Sequence, residues 1–225
     1  TVEQMCFFAN KVVLLDHHQS ALEDLWDIIS RCPNFDMTHS TLNNSGVMIA
    51  WNYVKDTTKH SRKMPALLPH IEDRDLWKFK LPNTKEIMDT VFSHPLEIEV
   101  YDKLFDLPKN SLKGLVKEGK ILRRKFVLDV LSIAKQCSRP MTIGLFKDIP
   151  TANANGMYAS ELGNYMAQNQ PFSATYYDTA NFRNFSLRSI PGGEDVSVIA
   201  ATYGGGGHKH AAGFKVRRDH PLACA

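Results

Sequence analysis

Four consecutive apolar residues, Val12-Val13-Leu14-Leu15, run directly into Asp16-His17-His18. A short run of β-branched and leucine residues closed by a polar break predicts a buried parallel strand. From Ala21 to Ser30, Leu22, Leu25, Trp26 and Ile29 recur at helical spacing, predicting an amphipathic helix that lies on the sheet and stops before Pro33. Asn43-Asn44-Ser45 supplies capping side chains ahead of Gly46–Val54, a mostly apolar stretch expected to be a helix buried on most sides. Lys55 to Pro65 reads as a polar loop. The next apolar stretch, from Leu67, ends in the acidic cluster Glu72-Asp73-Arg74-Asp75.

Between Asn110 and Cys137, Leu112, Leu115, Val116, Leu122, Phe126, Val130, Ile133 and Ala134 keep near-helical spacing, with lysines and arginines filling the intervening positions. This predicts one helix connecting two domains, softened at Gly114 and Gly119, with its cations on a solvated face. Beyond Pro140 the period shortens. Met141–Phe146, Phe172–Tyr177 and Asn184–Ser189 are strand-like, whereas Ser160–Ala167 and Asp195–Ala201 are helical. The expected architecture is α/β: a parallel-sheet domain over residues 1–109, a helical linker over 110–138 and a smaller α/β domain over 139–225.

Composition narrows the class only a little. At 225 residues, 43% hydrophobic and 23% charged, the chain is that of a soluble globular protein able to bury a sizeable core. A net charge of +3 permits a polyanionic substrate without requiring one. Cys6, Cys32, Cys137 and Cys224 are widely spaced, so neither a zinc knuckle nor a disulfide framework is expected. A reducing, intracellular compartment, cytoplasmic or organellar, follows. No apolar run reaches the roughly 18 residues of a membrane span, so no membrane partner is expected. Because the first residue is Thr1, the chain is read as a fragment whose beginning is missing.

Three stretches carry candidate chemistry. Asp16, His17 and His18 leave the predicted strand at its carboxyl end, where open α/β sheets place ligands, and could serve metal or phosphate together. Asp73 and Asp75 are candidate oxygen ligands for the same ion, against a self-satisfied surface cluster as the plain alternative. Gly204-Gly205-Gly206-Gly207-His208-Lys209-His210-Ala211-Ala212-Gly213-Phe214 is the most specific signal. Four glycines in a row expose backbone amides to close approach by phosphate oxygens, and a mere linker would not continue into such a sequence.

Asp16-His17-His18 after an apolar strand, together with the glycine-histidine stretch at 204–214, resembles the DHH phosphoesterase superfamily with its DHH-associated C-terminal domain, as in the oligoribonuclease-type members. The likeness covers nearly all of the chain. Ile71–Trp77 looks like the family's later acidic motif, and Phe185–Ser189 like its substrate-contacting strand. The resemblance implies a catalytic domain (1–109) holding two divalent ions, manganese in the first instance with magnesium or cobalt as alternatives, and a substrate-binding domain (139–225) across a cleft.

By the same resemblance His17 ligates metal, Asp16 orients it and His18 touches the scissile phosphate. Asp73 is the later metal carboxylate, with Asp75 as its substitute. Arg188, Gly205, Gly206, Gly207 and His208 hold substrate phosphate or a terminal nucleotide. The implied activity is metal-dependent phosphodiester hydrolysis by an exonuclease-type enzyme acting on short single-stranded RNA or DNA. Cyclic dinucleotides and polyphosphate are alternative substrates, and a catalytically inactive binding or assembly subunit is the alternative role. The family's earlier motif, with a histidine and two aspartates, and a further aspartate on the preceding strand do not precede Asp16. The chain by itself is therefore expected to hold metal poorly and turn over little, and its longer parent to be active.

Overall fold

The computed structural model describes residues 1–58 and 63–224, which divide into two compact units, Thr1–Lys125 and Phe126–Ala225. The division falls inside one long helix. Residues 59–62 of the expected polar loop lie outside the described residues.

The first unit is mostly helical. It contains α1 (Val2–Phe8), β1 (Val12–Val13), α2 (Gln19–Leu25), α3 (Ile28–Arg31), β2 (Phe35–Asp36), α4 (Gly46–Thr58), α5 (Leu68–Asp75), α6 (Thr84–Ser93), α7 (Ile98–Phe105) and the start of α8 (Leu112–Cys137). β1 pairs parallel with β2, with Val12 opposite Phe35 and Val13 opposite Asp36. In place of the expected buried parallel sheet, this unit has a two-stranded ribbon. Val12 to Leu15 are accordingly half-buried, because β1 is laddered to a neighbour on one side alone among the described residues.

The helix expected over Ala21–Ser30 is broken in two. The Trp26 amide bonds the Glu23 carbonyl and the Ile29 amide bonds the Trp26 carbonyl, each three residues back at 3.3 Å, which tightens and ends the α-helical run. Trp26 is left exposed as a result. α4 also departs from expectation: Ile49 is its one buried residue among those described.

A core of Leu67, Ile87, Met88, Val91, Leu104, Leu112 and Leu115 joins α5, α6, α7 and the first turns of α8. Gly119, expected to soften α8, has a packing role instead. A Cβ built there would lie 1.9 Å from the Glu86 carbonyl oxygen, so α6 and α8 meet backbone to side at this point. Gly119→Ala gains about 1 kcal/mol of helix propensity but overpacks a backbone contact, which costs roughly 1–3 kcal/mol. A lowered melting temperature is the expected result, and a raised one would mean that the two helices can separate freely.

The second unit is built on a six-stranded sheet of order β3-β4-β5-β6-β8-β7. Its strands are β3 (Ser138–Ile143), β4 (Phe146–Asn153), β5 (Ser173–Asp178), β6 (Phe182–Arg188), β7 (Gly206–His208) and β8 (Ala211–Arg217). Pairing is antiparallel except between β4 and β5. The helices are the end of α8, α9 (Ala159–Met166), α10 (Val196–Ala201) and α11 (Pro221–Cys224).

Alternation along the strands explains the layering. In β6, Arg183, Phe185 and Leu187 are buried while the residues between them are half-buried. Phe185 and Leu187 join Phe214, Val196 and Ile199 in one core with α10. On the other face Ala152, Leu162 and Met166 pack with Val130 of α8. Phe185 and Phe214 are cross-strand partners whose rings stack at 4.8 Å. Taken together the chain is a mixed α/β protein, and no described helix is long and apolar enough to cross a membrane.

Candidate functional site

Three elements of the first unit converge on His17. The chain leaves β1 through Leu14, whose amide bonds the Asp36 carbonyl at 2.8 Å and so continues the parallel ladder one residue further. Ser40 then bridges the turn: its hydroxyl donates to the Leu14 carbonyl at 2.9 Å and accepts from the Asp16 amide at 3.1 Å. The Thr41 amide bonds the Asp16 carbonyl at 3.2 Å. Ser40 was not singled out in the sequence; its only signal is a position just beyond β2, the strand beside β1.

The Asp16 carboxylate turns back on its own loop. Its Oδ1 accepts from the His17 amide at 2.7 Å, the His18 amide at 3.2 Å and the His18 ring Nδ1 at 2.8 Å. Burial pushes the Asp16 carboxyl up, but these hydrogen bonds outweigh it and hold the group below the usual carboxylate value. An ionised Asp16 accepts the Nδ1 proton of His18, which leaves the lone pair of this half-exposed ring on Nε2.

His17 is buried, 7% exposed. Its ring packs edge-on to His18 at 4.5 Å, and its Cδ2 lies 4.0 Å from where a Cβ on Gly46, the first residue of α4, would sit. Its Nε2 lies 3.4 Å from Oδ2 of Asp75, the last residue of α5. The α4 and α5 ends are themselves tied together: Glu72 Oε2 accepts from the Ser45 amide at 3.2 Å and from Asn44 Nδ2 at 3.3 Å.

The two candidate acids are placed differently. Asp75 is half-exposed beside His17. Asp73 is 5% exposed and accepts from the Lys80 amide at 2.7 Å, the Leu81 amide at 3.0 Å and the Thr84 hydroxyl at 2.7 Å. Burial raises its carboxyl, yet the Thr84, Lys80 and Leu81 hydrogen bonds prevail and the group is held below its usual value. These bonds fold residues 76–81 around the end of α5, with Trp77 and Phe79 in left-handed conformation at φ 53° and 47°. Arg74, between the two acids, lies 4.5 Å over the Phe92 ring.

In the second unit Arg188 ends β6 and runs back along α9. Its guanidinium donates to the Leu187 carbonyl at 2.8 Å and to Ser160 Oγ at 3.1 Å. Gly163 makes room for it, since a Cβ there would come within 2.6 Å of Arg188 Cγ.

The glycine run has structural work that the sequence did not disclose. The amides of Gly204 and Gly205 bond the carbonyls of Ala201 and Ala200 at 3.0 Å each and cap α10, with Gly204 at φ 73°. A Cβ on Gly205 would lie 2.1 Å from the Gly213 carbonyl oxygen. Gly206, Gly207 and His208 form strand β7 against Gly213, Ala212 and Ala211. Two of the four amides are thus consumed locally, and the expected open glycine loop is half helix cap and half strand.

No protein-family model matches the chain. It is 30% identical over 220 residues to an uncharacterized protein of Acanthamoeba polyphaga mimivirus, across 92% of this chain and 48% of that protein. The chain therefore spans about half the length of the curated relative it matches. Among solved structures it is similar in fold to the DHH domain of a member of the s1p family of ribosomal proteins, with TM-score 0.53 and 12% identity, over 96% of this chain and 62% of that one. A pGpG-specific phosphodiesterase of Vibrio cholerae is matched more weakly, with TM-score 0.38 and 14% identity over 81% and 72% of the two chains. At the level of fold, the chain resembles a DHH domain.

Proposed function

We propose that this chain belongs to a metal-dependent phosphoesterase that hydrolyses phosphodiester bonds of short oligonucleotides. The observation that carries the reading is the pairing of a buried histidine at the end of β1, His17, with Asp75 at the end of α5, 3.4 Å apart. The likeness in fold to a DHH domain supports it.

The donors fit a divalent ion of the manganese or magnesium type. They are imidazole nitrogen and carboxylate oxygen with no thiolate among them, which disfavours sulfur-seeking metals. Such ions, when bound, would supply a more acidic water and neutralise charge on phosphoryl oxygens. His17 and Asp75 would hold the ion. Asp16 keeps the loop rigid and fixes the His18 proton on Nδ1, so that His18 Nε2 is positioned to accept a proton or hydrogen bond from a reacting group. Arg188 would grip a substrate phosphate through its planar fork, and β7, with Gly205, Gly206, Gly207 and His208, would line the same subsite.

A second reading, a non-catalytic assembly subunit of the same fold, is favoured by one observation: Oδ1 of Asp16 and both carboxylate oxygens of Asp73 are engaged in internal hydrogen bonds. The test offers the full-length product a dinucleotide, a longer RNA, a cyclic dinucleotide and polyphosphate, with manganese added or chelated. The enzyme reading expects manganese-dependent turnover, fastest on the dinucleotide, and Arg188→Ala should raise KM more than it lowers kcat. Absence of turnover on every substrate overturns the enzyme reading.

A further inference from the structure

The first unit contains a cavity of about 590 Å³ between the start of α5, the loop before α6 and the start of α8. Its size lies within the roughly 300–1,000 Å³ of small-molecule sites. Asp16, His17 and His18 are not among its lining residues. Pro65, Leu81, Pro82 and Val116 give it flat apolar walls, while His70, Lys109 and Lys113 add polar groups. Lys109 and Lys113 are exposed, and neither has an ion-pair partner among the described residues.

The His70 tautomer follows from counting protons. The Thr84 hydroxyl has a single proton, which it donates to Asp73 Oδ2 at 2.7 Å. Its oxygen also lies 2.9 Å from His70 Nδ1. The proton on that second bond must therefore come from Nδ1, leaving a lone pair on Nε2. Burial pushes the His70 imidazole below its usual value, against the opposing pull of the Asp73 charge, and favours the neutral ring. With Nδ1 turned to Thr84, the opposite ring edge is the one that His70 offers to the cavity.

We infer that this cavity is a binding site for a small organic anion with a flat apolar body. The body lies between the proline and leucine walls, the anionic group faces Lys109 and Lys113, and a hydroxyl or N–H donates to His70 Nε2. A neutral apolar molecule would gain nothing from the two solvated lysines, and a dianion with no apolar body would gain nothing from covering the walls.

Calorimetric titration of the full chain with three probes tests each element: hydroxynaphthoate, which has body, carboxylate and hydroxyl; naphthoate, which lacks the hydroxyl; and naphthol, which lacks the carboxylate. One-to-one binding is expected, with either omission weakening affinity about tenfold, the effect of one good hydrogen bond to a charged or fixed partner. The Lys109→Ala/Lys113→Ala double variant should lose the preference for the carboxylate, its exposed positions leaving the fold intact. His70→Phe should lose the preference for the hydroxyl while still binding naphthoate, which reports that the variant is folded. Equal affinity for all three probes, no binding, or either preference surviving its own variant overturns the inference.

Discussion

His17→Ala is expected to abolish manganese-dependent hydrolysis. The substitution removes an imidazole that is 7% exposed and whose Nε2 faces Asp75 at 3.4 Å. Losing even a residue that merely orients a metal ligand typically costs roughly 10–100-fold in affinity or activity; losing the ligand itself should exceed that. Because the ring also packs on His18 and against the start of α4, alanine leaves a void and adds a structural loss to the chemical one. His17→Gln separates the two effects. It refills much of the volume without an imidazole lone pair, so its melting temperature should approach that of the parent while turnover stays absent. Parental rates in either variant would remove His17 from the chemistry.

The second large effect distinguishes the two acids of α5. Asp73→Ala deprives the part-buried Lys80 and Leu81 amides and the buried Thr84 hydroxyl of their acceptor. An unsatisfied buried donor costs about 1–3 kcal/mol, and a part-buried one less because water reaches it. A total near 3 kcal/mol is a reasonable expectation once the loop takes up water. Asp75→Ala, on a half-exposed side chain, should change stability by less than about 0.5 kcal/mol yet weaken manganese binding.

The acid dependence follows from the direction of the Asp73 shift. Its carboxyl is held below the usual value in the folded chain, so the stability it contributes is complete above the unfolded value, about 3.9. That contribution is lost as pH falls further, through the folded value. The parent should therefore lose its advantage over Asp73→Ala only below about pH 4. Thermal melts across pH and manganese titration by electron paramagnetic resonance read both effects. If Asp73→Ala melts like the parent but cannot take up manganese, while Asp75→Ala binds it normally, the roles assigned to the two acids are reversed.

These contrasts mark where the sequence was readable and where it was not. α8, α9 and the strands β5 and β6 follow directly from apolar spacing, because each buries one face and its period survives in the residues, whereas the strand expected over Met141–Phe146 spans the turn between β3 and β4. The position of Asp16-His17-His18 at a strand end was legible for the same reason. The hydrogen-bonded setting of Asp73 was not. Besides the Thr84 hydroxyl, its partners are two backbone amides beside left-handed Trp77 and Phe79, a conformation that bulky residues rarely adopt and that has no sequence signature. The glycine run was legible only in part. Exposed amides and close-packed strands both require an absent side chain, so glycine alone cannot tell phosphate binding from the cap and crowding found at Gly204 and Gly205.

The order of the six-stranded sheet leaves β3 and β7 outermost. β7 is three residues long, and β3 carries Arg139 and Pro140, the latter unable to donate to a further ladder. Short, charged or proline-bearing margins are how sheets refuse additional strands from other molecules. Any self-association of the protein should therefore arise through side chains instead of through backbone ladders shared at these margins.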